Sequence, residues 1–406
     1  MKRKMIPILV AVMLTAPLAA CGSPNGDGAA SPSPSPSPSA GAKEELTVIK
    51  IASQSPLSGG SAVQGEAIKL GAQMALEERK AEFEELGFDL QFVPYDDQAD
   101  PKKGVANAEL IGADTGIVAV VGHMNSGVAI PSSVVYEKYA IPMVSPSNTA
   151  TEVTDRNLKS VNRIVARDDF QGPAAAEYAV KTVGAKNVFI IQDKTAYGQG
   201  LADAFKASVE ELGAAVAGYE GITVGEKDFN GVLNQVLNKK PDFIFFGGVY
   251  GEGGLIVKQA REKGITVPIM GADGIDTVGI VDIAGESIKG VLYTSISTDI
   301  TKTDAGKKWA EDYKAKFGKN VDGYSAYAYD CMNVILNAVR SAAETNGGKL
   351  PSREQVRDAV RATKDFEGLA TKVTFDGKGD NDYAKVYIYE YKEASYPGVL
   401  TSEIAK

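Results

Sequence analysis

The stretch IVAVVGHMNSGVAIPSSVVYEKYAIPMVSPSNT, Ile117 to Thr149, decides the fold. The apolar run Ile117–Val121 predicts a buried strand, which is followed by a small-residue turn, a helical segment and a second short strand at Pro142–Val144. Polar residues follow both strands, at Asn125–Ser126 and at Ser145–Thr149. In a parallel α/β sheet, ligands bind outside the carboxyl ends of strands, where helix N-termini present unpaired N–H groups. The hydroxyl groups at this edge therefore suit a small carboxylate.

Short apolar strands alternate with amphipathic helices from Leu46 onward, which is the pattern of parallel α/β layers. Strands are predicted at Val48–Ala52, Leu90–Tyr95, Val188–Ile191, Phe243–Phe246, Val267–Met270 and, closing the chain, Lys385–Tyr389; helices are predicted at Leu255–Lys263, after a Gly-rich turn, and at Ala305–Phe317 and Ala326–Ala343. Single cores rarely exceed about 250–300 residues, and this chain has 406. We therefore predict an α/β protein with two open, parallel-sheet, Rossmann-like lobes that face each other across a cleft.

The beginning of the chain carries targeting signals. Three basic residues precede the apolar run Met5–Ala20, which is too short to span a bilayer comfortably and predicts a signal peptide over residues 1–20. The segment Leu18–Cys21 resembles the lipobox of bacterial lipoproteins, in which Cys21 becomes the lipidated N-terminus; an ordinary signal peptide with an incidental cysteine is the alternative. Residues 21–45 continue as a Ser/Pro-rich linker. We expect a lipid-anchored protein on the extracytoplasmic face of the membrane.

Charge and residue usage argue against several functions. Removal of residues 1–20 takes away three of the 43 basic residues and leaves 40 against 52 acidic ones, a net charge of −12 that disfavours nucleic acid as a partner. His123 is the only histidine, and Cys331 is the only cysteine besides Cys21, so a metal site or a Ser-His-Asp relay has little support. A structural histidine bonded to the backbone and a buried, inert thiol are favoured. Phosphate- and dinucleotide-binding motifs are incomplete, and we expect no catalytic residue, metal or cofactor.

Nine motifs occur in order along the chain. They are YDDQADP (95–101), VVGHMNS (120–126), TATEVT (149–154), DDFQGP (168–173), DKTAYGQGLA (193–202), GITVGEKDF (221–229), IMGADG (269–274), IAGES (283–287) and FDGKGD (375–380). With these motifs the chain resembles the leucine/isoleucine/valine-binding protein family, the extracytoplasmic receptors of branched-chain amino-acid ABC transporters. The resemblance extends from about Leu46 to about Tyr389.

The resemblance implies a type I periplasmic-binding fold, in which the chain crosses between the lobes three times. We place the crossings near Arg167, Ser297 and Asp376, so that lobe 1 takes residues 46–167 and 297–376 and lobe 2 takes residues 168–296 and 377–406. The implied function is an extracytoplasmic solute-binding protein that captures a branched-chain or related neutral amino acid between closing lobes. It would present this ligand, as a monomer, to the permease and ATPase subunits of an importer.

The same resemblance implies a set of ligand-binding residues. The hydroxyl groups of Ser126 and Thr149, with the backbone at Ser147, match family positions that hold the carboxylate and ammonium of the ligand in the first lobe. Tyr197 and Asp273 match second-lobe positions that close onto the ligand, and the acid opposes the α-ammonium group.

Several positions depart from the family pattern. Gln64 and Val249 stand where aromatic side chains often form the walls of the pocket, and Tyr250 is a candidate to compensate. Asn125 replaces a cysteine that is disulfide-bonded in some relatives. A different amino acid, an amide or urea-type solute, and a ligand-sensing receptor of the same fold therefore remain alternatives. An extracellular enzyme is disfavoured because no pair of base and nucleophile is evident.

Overall fold

The first lobe is built on a five-stranded parallel sheet. The computed structural model describes residues 45–405, so the predicted signal peptide, Cys21 and linker residues 21–44 lie outside it. The elements are β1 (Thr47–Ser55), α1 (Ala62–Glu85), β2 (Phe88–Asp96), α2 (Pro101–Ala113), β3 (Ile117–Gly122), α3 (Ser126–Lys138), β4 (Met143–Ser145), α4 (Glu152–Asp155) and β5 (Val161–Arg163). The strand order is β2-β1-β3-β4-β5. Every residue of β3 is buried, as its continuous apolar run predicted.

The second lobe contains the other large sheet. Its elements up to the return crossing are α5 (Asp168–Glu177), a π-helical turn (Tyr178–Val183), β6 (Asn187–Gln192), α6 (Ala196–Glu211), β7 (Ala215–Gly221), α7 (Asn230–Lys239), β8 (Phe243–Gly247), α8 (Tyr250–Glu262), β9 (Ile269–Gly271), α9 (Val278–Ala284) and β10 (Leu292–Ser295). Phe245 of β8 stacks on Phe205 of α6 with ring centroids 3.8 Å apart, which fixes this helix on the sheet.

The chain then returns to the first lobe before it ends in the second. The returning elements are α10 (Asp304–Phe317), α11 (Ser325–Thr345), α12 (Arg353–Arg361) and a small hairpin of β11 (Phe366–Glu367) and β12 (Lys372–Val373). Trp309 and Tyr313 of α10 pack with Leu70 of α1. A Cβ on Gly71 would lie 2.0 Å from the carbonyl oxygen of Ser325, so glycine is required where α1 crosses α11.

The last two strands complete the second sheet. They are β13 (Lys385–Glu390) and β14 (Val399–Ala405), both antiparallel, and the order is β14-β13-β10-β9-β8-β6-β7. The α/β prediction with two parallel-sheet lobes is confirmed. The prediction that Lys385–Tyr389 closes the chain is wrong, because β14 follows; its first residues, Val399 and Leu400, are exposed and carry no core pattern. The lobe boundaries stay a prediction.

Helix α8 also corrects the sequence prediction. The predicted Gly-rich turn before Leu255 is the first turn of this helix, which begins at Tyr250. A Cβ on Gly254 would lie 2.8 Å from Ile283, and one on Gly253 would lie 3.0 Å from Phe246. These glycines therefore permit close helix packing. Within residues 45–405, no helix has the length and apolar character needed to cross a membrane.

Candidate functional site

A small cavity lies between the lobes at the carboxyl ends of their parallel strands. It is lined by Met124, Asn125, Ser126 and Ser147 of the first lobe, Tyr197, Val249, Asp273 and Gly274 of the second, and Tyr324 of the returning segment. Its volume is about 10 Å³, room for about one water molecule. The lobes are therefore in close contact around this point.

The loops after β3 and β4 are tied together on the first-lobe side. The hydroxyl group of Ser147 donates to the carbonyl oxygens of His123 (2.9 Å) and Met124 (3.2 Å). The amide of Asn148 donates to the Met124 carbonyl at 2.9 Å and accepts from the His123 N–H at 3.2 Å. These bonds explain why the polar residues after two separate strands form one surface.

Polar side-chain atoms without hydrogen-bond partners among the described residues lie near the first turn of α3, next to this surface. Ser126 begins the helix, and its Oγ accepts from the N–H of Ala150 at 3.4 Å. The side chain of Asn125 makes no capping bond, and its Oδ1 is buried without a hydrogen-bond partner among residues 45–405. The buried Oγ1 of Thr149 makes no hydrogen bond of good geometry there, although it lies close enough to the Asp168 carboxyl group to oppose the rise in the pKa of that acid. Capping does not account for Asn125 or Thr149.

Asp273 is the most heavily hydrogen-bonded carboxyl group of the cavity. Its Oδ1 accepts from Gln171 Nε2 and from the Tyr197 hydroxyl, both at 2.8 Å. Its Oδ2 accepts from the Tyr324 hydroxyl at 2.9 Å, so donors from both lobes converge on one side chain. Burial raises the pKa of Asp273, and the three donors oppose this by stabilising the ionised form.

Asp168 is a second buried acid beside it. Burial, reinforced by the charge of Asp273, raises the pKa of Asp168 to about 8. Gln171 Nε2 lies 3.5 Å from Asp168 Oδ1, whereas Asp168 Oδ2 has no partner within the described chain. The backbone N–H of Asp168 donates to the Thr149 carbonyl at 2.9 Å. Two acids therefore adjoin the cavity, which favours a ligand with a positive charge.

The positions that depart from the family pattern fall into two groups. Val249 lines the cavity, and Gln64 is buried beside it, with Nε2 3.4 Å from the Asp273 carbonyl oxygen and Oε1 unpartnered within residues 45–405. Tyr250 is not among the residues that line the cavity, and its role in ligand binding stays a prediction. Its ring packs against Gly279, where a Cβ would lie 2.6 Å away, and its hydroxyl accepts from the N–H of Val63.

Sequence reasoning missed three contributors. No role was given to Tyr324, which lies just before α11 and whose hydroxyl group donates to Asp273. Asp168 and Gln171 lie within the quoted motif DDFQGP, to which no role was given. Their proximity to Asp273 depends on packing between residues about a hundred positions apart and has no local signature.

The residues considered for covalent chemistry are buried. His123 is buried, with Nδ1 3.3 Å from Asp97 Oδ2 and Nε2 3.2 Å from the Tyr136 hydroxyl, so its partners are side chains rather than the expected backbone. Cys331 is buried, and burial raises the pKa of its thiol well above the ordinary value. Residues 45–405 contain no group of three or more His, Cys, Asp or Glu side chains placed to hold a metal ion.

A buried arginine supports the loop that carries Thr149. Arg163 Nη1 donates to the carbonyl oxygens of Asn148 (3.0 Å) and Ala150 (2.8 Å), and its Nε donates to Asp380 Oδ1 at 2.5 Å. Asp380 also accepts from Arg167 at 3.0 Å. Burial alone would raise the pKa of Asp380, but the charge and hydrogen bond of Arg163, together with Thr154 and Arg167, outweigh it and the pKa is lowered. The loop is thus fixed by residues next to two of the predicted crossings.

Comparisons with known proteins agree on one family. The family model described as periplasmic binding protein matches residues 48–395. The "Leucine-, isoleucine-, valine-, threonine-, and alanine-binding protein" of Pseudomonas aeruginosa is 33% identical over 343 residues, 84% of this chain and 90% of that protein.

Two solved structures are similar over most of the chain. The leucine-binding protein LivK of Thermotoga maritima aligns with a TM-score of 0.79 and 30% sequence identity. The alignment covers 88% of this chain and 98% of the LivK chain. The branched-chain amino acid transporter substrate-binding protein LivJ of Streptococcus pneumoniae, in complex with isoleucine, has a TM-score of 0.79 and 26% identity, with coverages of 89% and 99%.

Proposed function

The chain belongs to the periplasmic binding protein family, and from that premise we propose that it captures a branched-chain or related neutral amino acid between its lobes. The observation that carries the proposal is the position of Asp273, buried between the lobes near unpartnered polar atoms at the first turn of α3. A zwitterion needs acceptors for its ammonium group, donors for its carboxylate and an apolar slot for its side chain. Residues around the cavity carry acceptors, donors and apolar groups, and the lobes would have to separate further than in this arrangement, whose cavity is about 10 Å³, to admit an amino acid.

Asp273 is proposed to bind the α-ammonium group. Three protein donors already occupy part of its acceptor capacity and hold it in one orientation. A carboxylate has about four acceptor positions, so one remains for the ligand. Asp168 is placed to add favourable charge, because a bound ammonium group stabilises its ionised form.

The first turn of α3 is proposed to bind the α-carboxylate. The hydroxyl groups of Ser126 and Thr149 and the backbone N–H groups around Ser147 are the candidate donors. A helix N-terminus adds a partial positive charge at the same place. Met124, Val249 and Gly274 would then face the aliphatic side chain, with Gln64 behind it.

A few such contacts supply enough free energy. Each charge-assisted hydrogen bond contributes about 1.5–3 kcal/mol net, and micromolar affinity corresponds to about 8 kcal/mol. Because the site takes residues from both lobes, the ligand favours the closed arrangement over an open one. A permease that recognises the closed arrangement would thereby receive only loaded protein.

We further propose an extracytoplasmic, lipid-anchored monomer that delivers its ligand to ABC permease and ATPase subunits. The anchor rests on the sequence Leu18–Cys21, which precedes the described residues. The site as described lacks a pair of base and nucleophile, so the proposed role includes no covalent chemistry.

Calorimetric titration of the purified protein tests the ligand proposal. Leucine, isoleucine and valine are expected to bind with micromolar or better affinity. Leucinamide, which lacks the carboxylate, and 4-methylpentanoate, which lacks the ammonium group, are matched controls and should bind far more weakly. If the amino acids do not bind and urea or a simple amide does, the proposed ligand class is wrong.

A further inference from the structure

Two adjoining chambers lie between the lobes and away from the Asp273 cavity. The outer chamber has a volume of about 690 Å³, within the range of about 300–1,000 Å³ usual for ligand sites. Its apolar lining includes Val63 and Leu70 of α1, Tyr313 of α10 and Val278 of α9. The inner chamber, of about 110 Å³, shares Val321, Asp322 and Tyr396 among other residues with the outer one. The lining of the outer chamber also includes charged side chains, those of Glu66, Glu311, Lys307, Lys314 and Lys319.

The inner chamber contains buried polar atoms without partners. Asp322 is only 6% exposed and Ser297 only 5%, yet Asp322 Oδ1 and Ser297 Oγ have no hydrogen-bond partner among the described residues. The other oxygen of Asp322 is fully used, accepting from the Thr277 hydroxyl at 2.9 Å and the Val278 N–H at 3.0 Å. A buried polar atom without a hydrogen bond destabilises the folded protein by about 1–3 kcal/mol. Because such atoms are rare in folded proteins, both atoms indicate a bound partner.

The inner chamber is also acidic. Asp276 lines it together with Asp322, and Asp276 Oδ2 accepts from the Ser295 hydroxyl. Burial, reinforced by the charge of Asp322, raises the pKa of Asp276 to about 7. Burial raises the pKa of Asp322 to about 6. A cation placed between the two carboxyl groups would offset both desolvation and mutual repulsion.

Aromatic rings complete the inner chamber. Tyr293, Tyr389 and Tyr396 line it, and the rings of Tyr293 and Tyr389 stack with centroids 5.3 Å apart. The faces of such rings attract cations, including alkylated ammonium groups. A metal ion is not favoured, because residues 45–405 contain no cluster of ligating side chains with suitable geometry.

We propose that the two chambers form a second binding site, for a small organic ammonium ion that carries an apolar substituent. The nitrogen lies between Asp322 Oδ1, Ser297 Oγ and the tyrosine rings, and the substituent occupies the outer chamber. Both lobes contribute lining residues, with α1 and α11 on one side and Asp276, Val278 and Tyr396 on the other. An ammonium ion bound here stabilises this arrangement of the lobes and is coupled to ligand binding at Asp273.

The test measures binding of defined amines to the purified protein. Butylammonium, benzylammonium and tetramethylammonium are titrated by calorimetry and thermal shift, with butanol and benzyl alcohol as neutral controls. Asp322→Asn keeps an acceptor for Thr277 and Val278 but removes the charge, and it should weaken amine binding by about tenfold or more. The matched control, Asp273→Asn, removes the acid of the other cavity and should leave amine binding unchanged.

A second variant does not depend on the buried acids. Ala310→Trp, at a partly exposed position of the outer chamber, should weaken butylammonium and benzylammonium more than tetramethylammonium. Unchanged affinity for leucine shows that Asp322→Asn and Ala310→Trp are folded, and urea denaturation shows the same for Asp273→Asn. The proposal is overturned if no amine binds at millimolar concentration, if the alcohols bind equally well, or if Asp273→Asn abolishes amine binding and Asp322→Asn does not. Failure of leucine to bind the parent protein would instead count against the proposed function.

Discussion

The substitution Asp273→Asn separates ligand binding from stability. The Asn side chain keeps the shape of Asp273, and its oxygen can still accept from Gln171 and Tyr197, as Oδ1 does. Its amide nitrogen then takes the place of Oδ2, where the Tyr324 hydroxyl can turn to accept instead of donate. The protein contacts survive, and the charge opposite the ligand's ammonium group is lost.

The size of the effect follows from the number of acceptor positions. Three protein donors bind Asp273, which leaves about one of four acceptor positions for the ammonium group. Loss of one charge-assisted hydrogen bond of about 1.5–3 kcal/mol predicts affinity lower by about 10- to 150-fold. Burial disfavours the charge of Asp273 in the folded protein, so the free energy of unfolding should stay within about 1 kcal/mol of the parent or increase.

Calorimetry with leucine and urea denaturation measure the two quantities. Asp330→Asn is the matched control, because Asp330 is equally buried but accepts the backbone N–H groups of Leu369, Ala370 and Thr371 at 2.7–3.1 Å, away from the cavity. It should lose stability and keep its affinity for leucine. If Asp273→Asn binds leucine as tightly as the parent does, the assignment of the ammonium site to this residue is refuted.

Four further outcomes are expected. Thr149→Val should weaken leucine binding by about tenfold in calorimetry, through loss of one hydrogen bond to the carboxylate. Leucine affinity should rise with pH up to about 8 and then level off. The reason is that the ligand's ammonium group lowers the pKa of Asp168 from about 8, so that binding releases a proton. Titrations in buffers of different ionisation enthalpy measure the number of protons released. Asp380→Asn should lower the free energy of unfolding by about 3–5 kcal/mol in urea, because Arg163 stays buried without its counter-ion. Cys21→Ala should move the protein from the membrane fraction to the soluble fraction, and retention on membranes would contradict the lipid anchor.

The buried strands and the polar residues that follow them could be predicted from the sequence, because both depend on residues close together in the chain. Buried parallel strands are near-continuous apolar runs, so Ile117–Val121 and Phe243–Phe246 were recognised, and the polar residues after them mark the functional edge of the sheets. The family prediction is confirmed as well. The roles given to Ser126, Thr149 and Asp273 stay predictions, although Ser126 and Asp273 line one cavity.

Features that arise from packing between segments far apart in the sequence were not predicted, because no local pattern indicates them. The sequence around Tyr324 does not distinguish it from a tyrosine of the core. Only the structure shows that Tyr324, just before α11, reaches Asp273 with its hydroxyl group. The acids Asp276 and Asp322 of the inner chamber come from separate segments of the chain and share no motif. The glycines that follow Tyr250 were predicted to form a turn, whereas they belong to the first turn of helix α8.

The pairing of Arg163 with Asp380 constrains the biogenesis of the protein. All five strands of the first sheet are synthesised by residue 163, but the counter-ion of Arg163, and the Gly379 carbonyl that accepts its backbone N–H, come from the end of the chain. A nascent first lobe would enclose an uncompensated guanidinium group, at a cost of several kcal/mol. Maturation of the first lobe therefore waits for the final segment to emerge, and a chain truncated before Asp380 should be a target for proteolysis rather than a functional half.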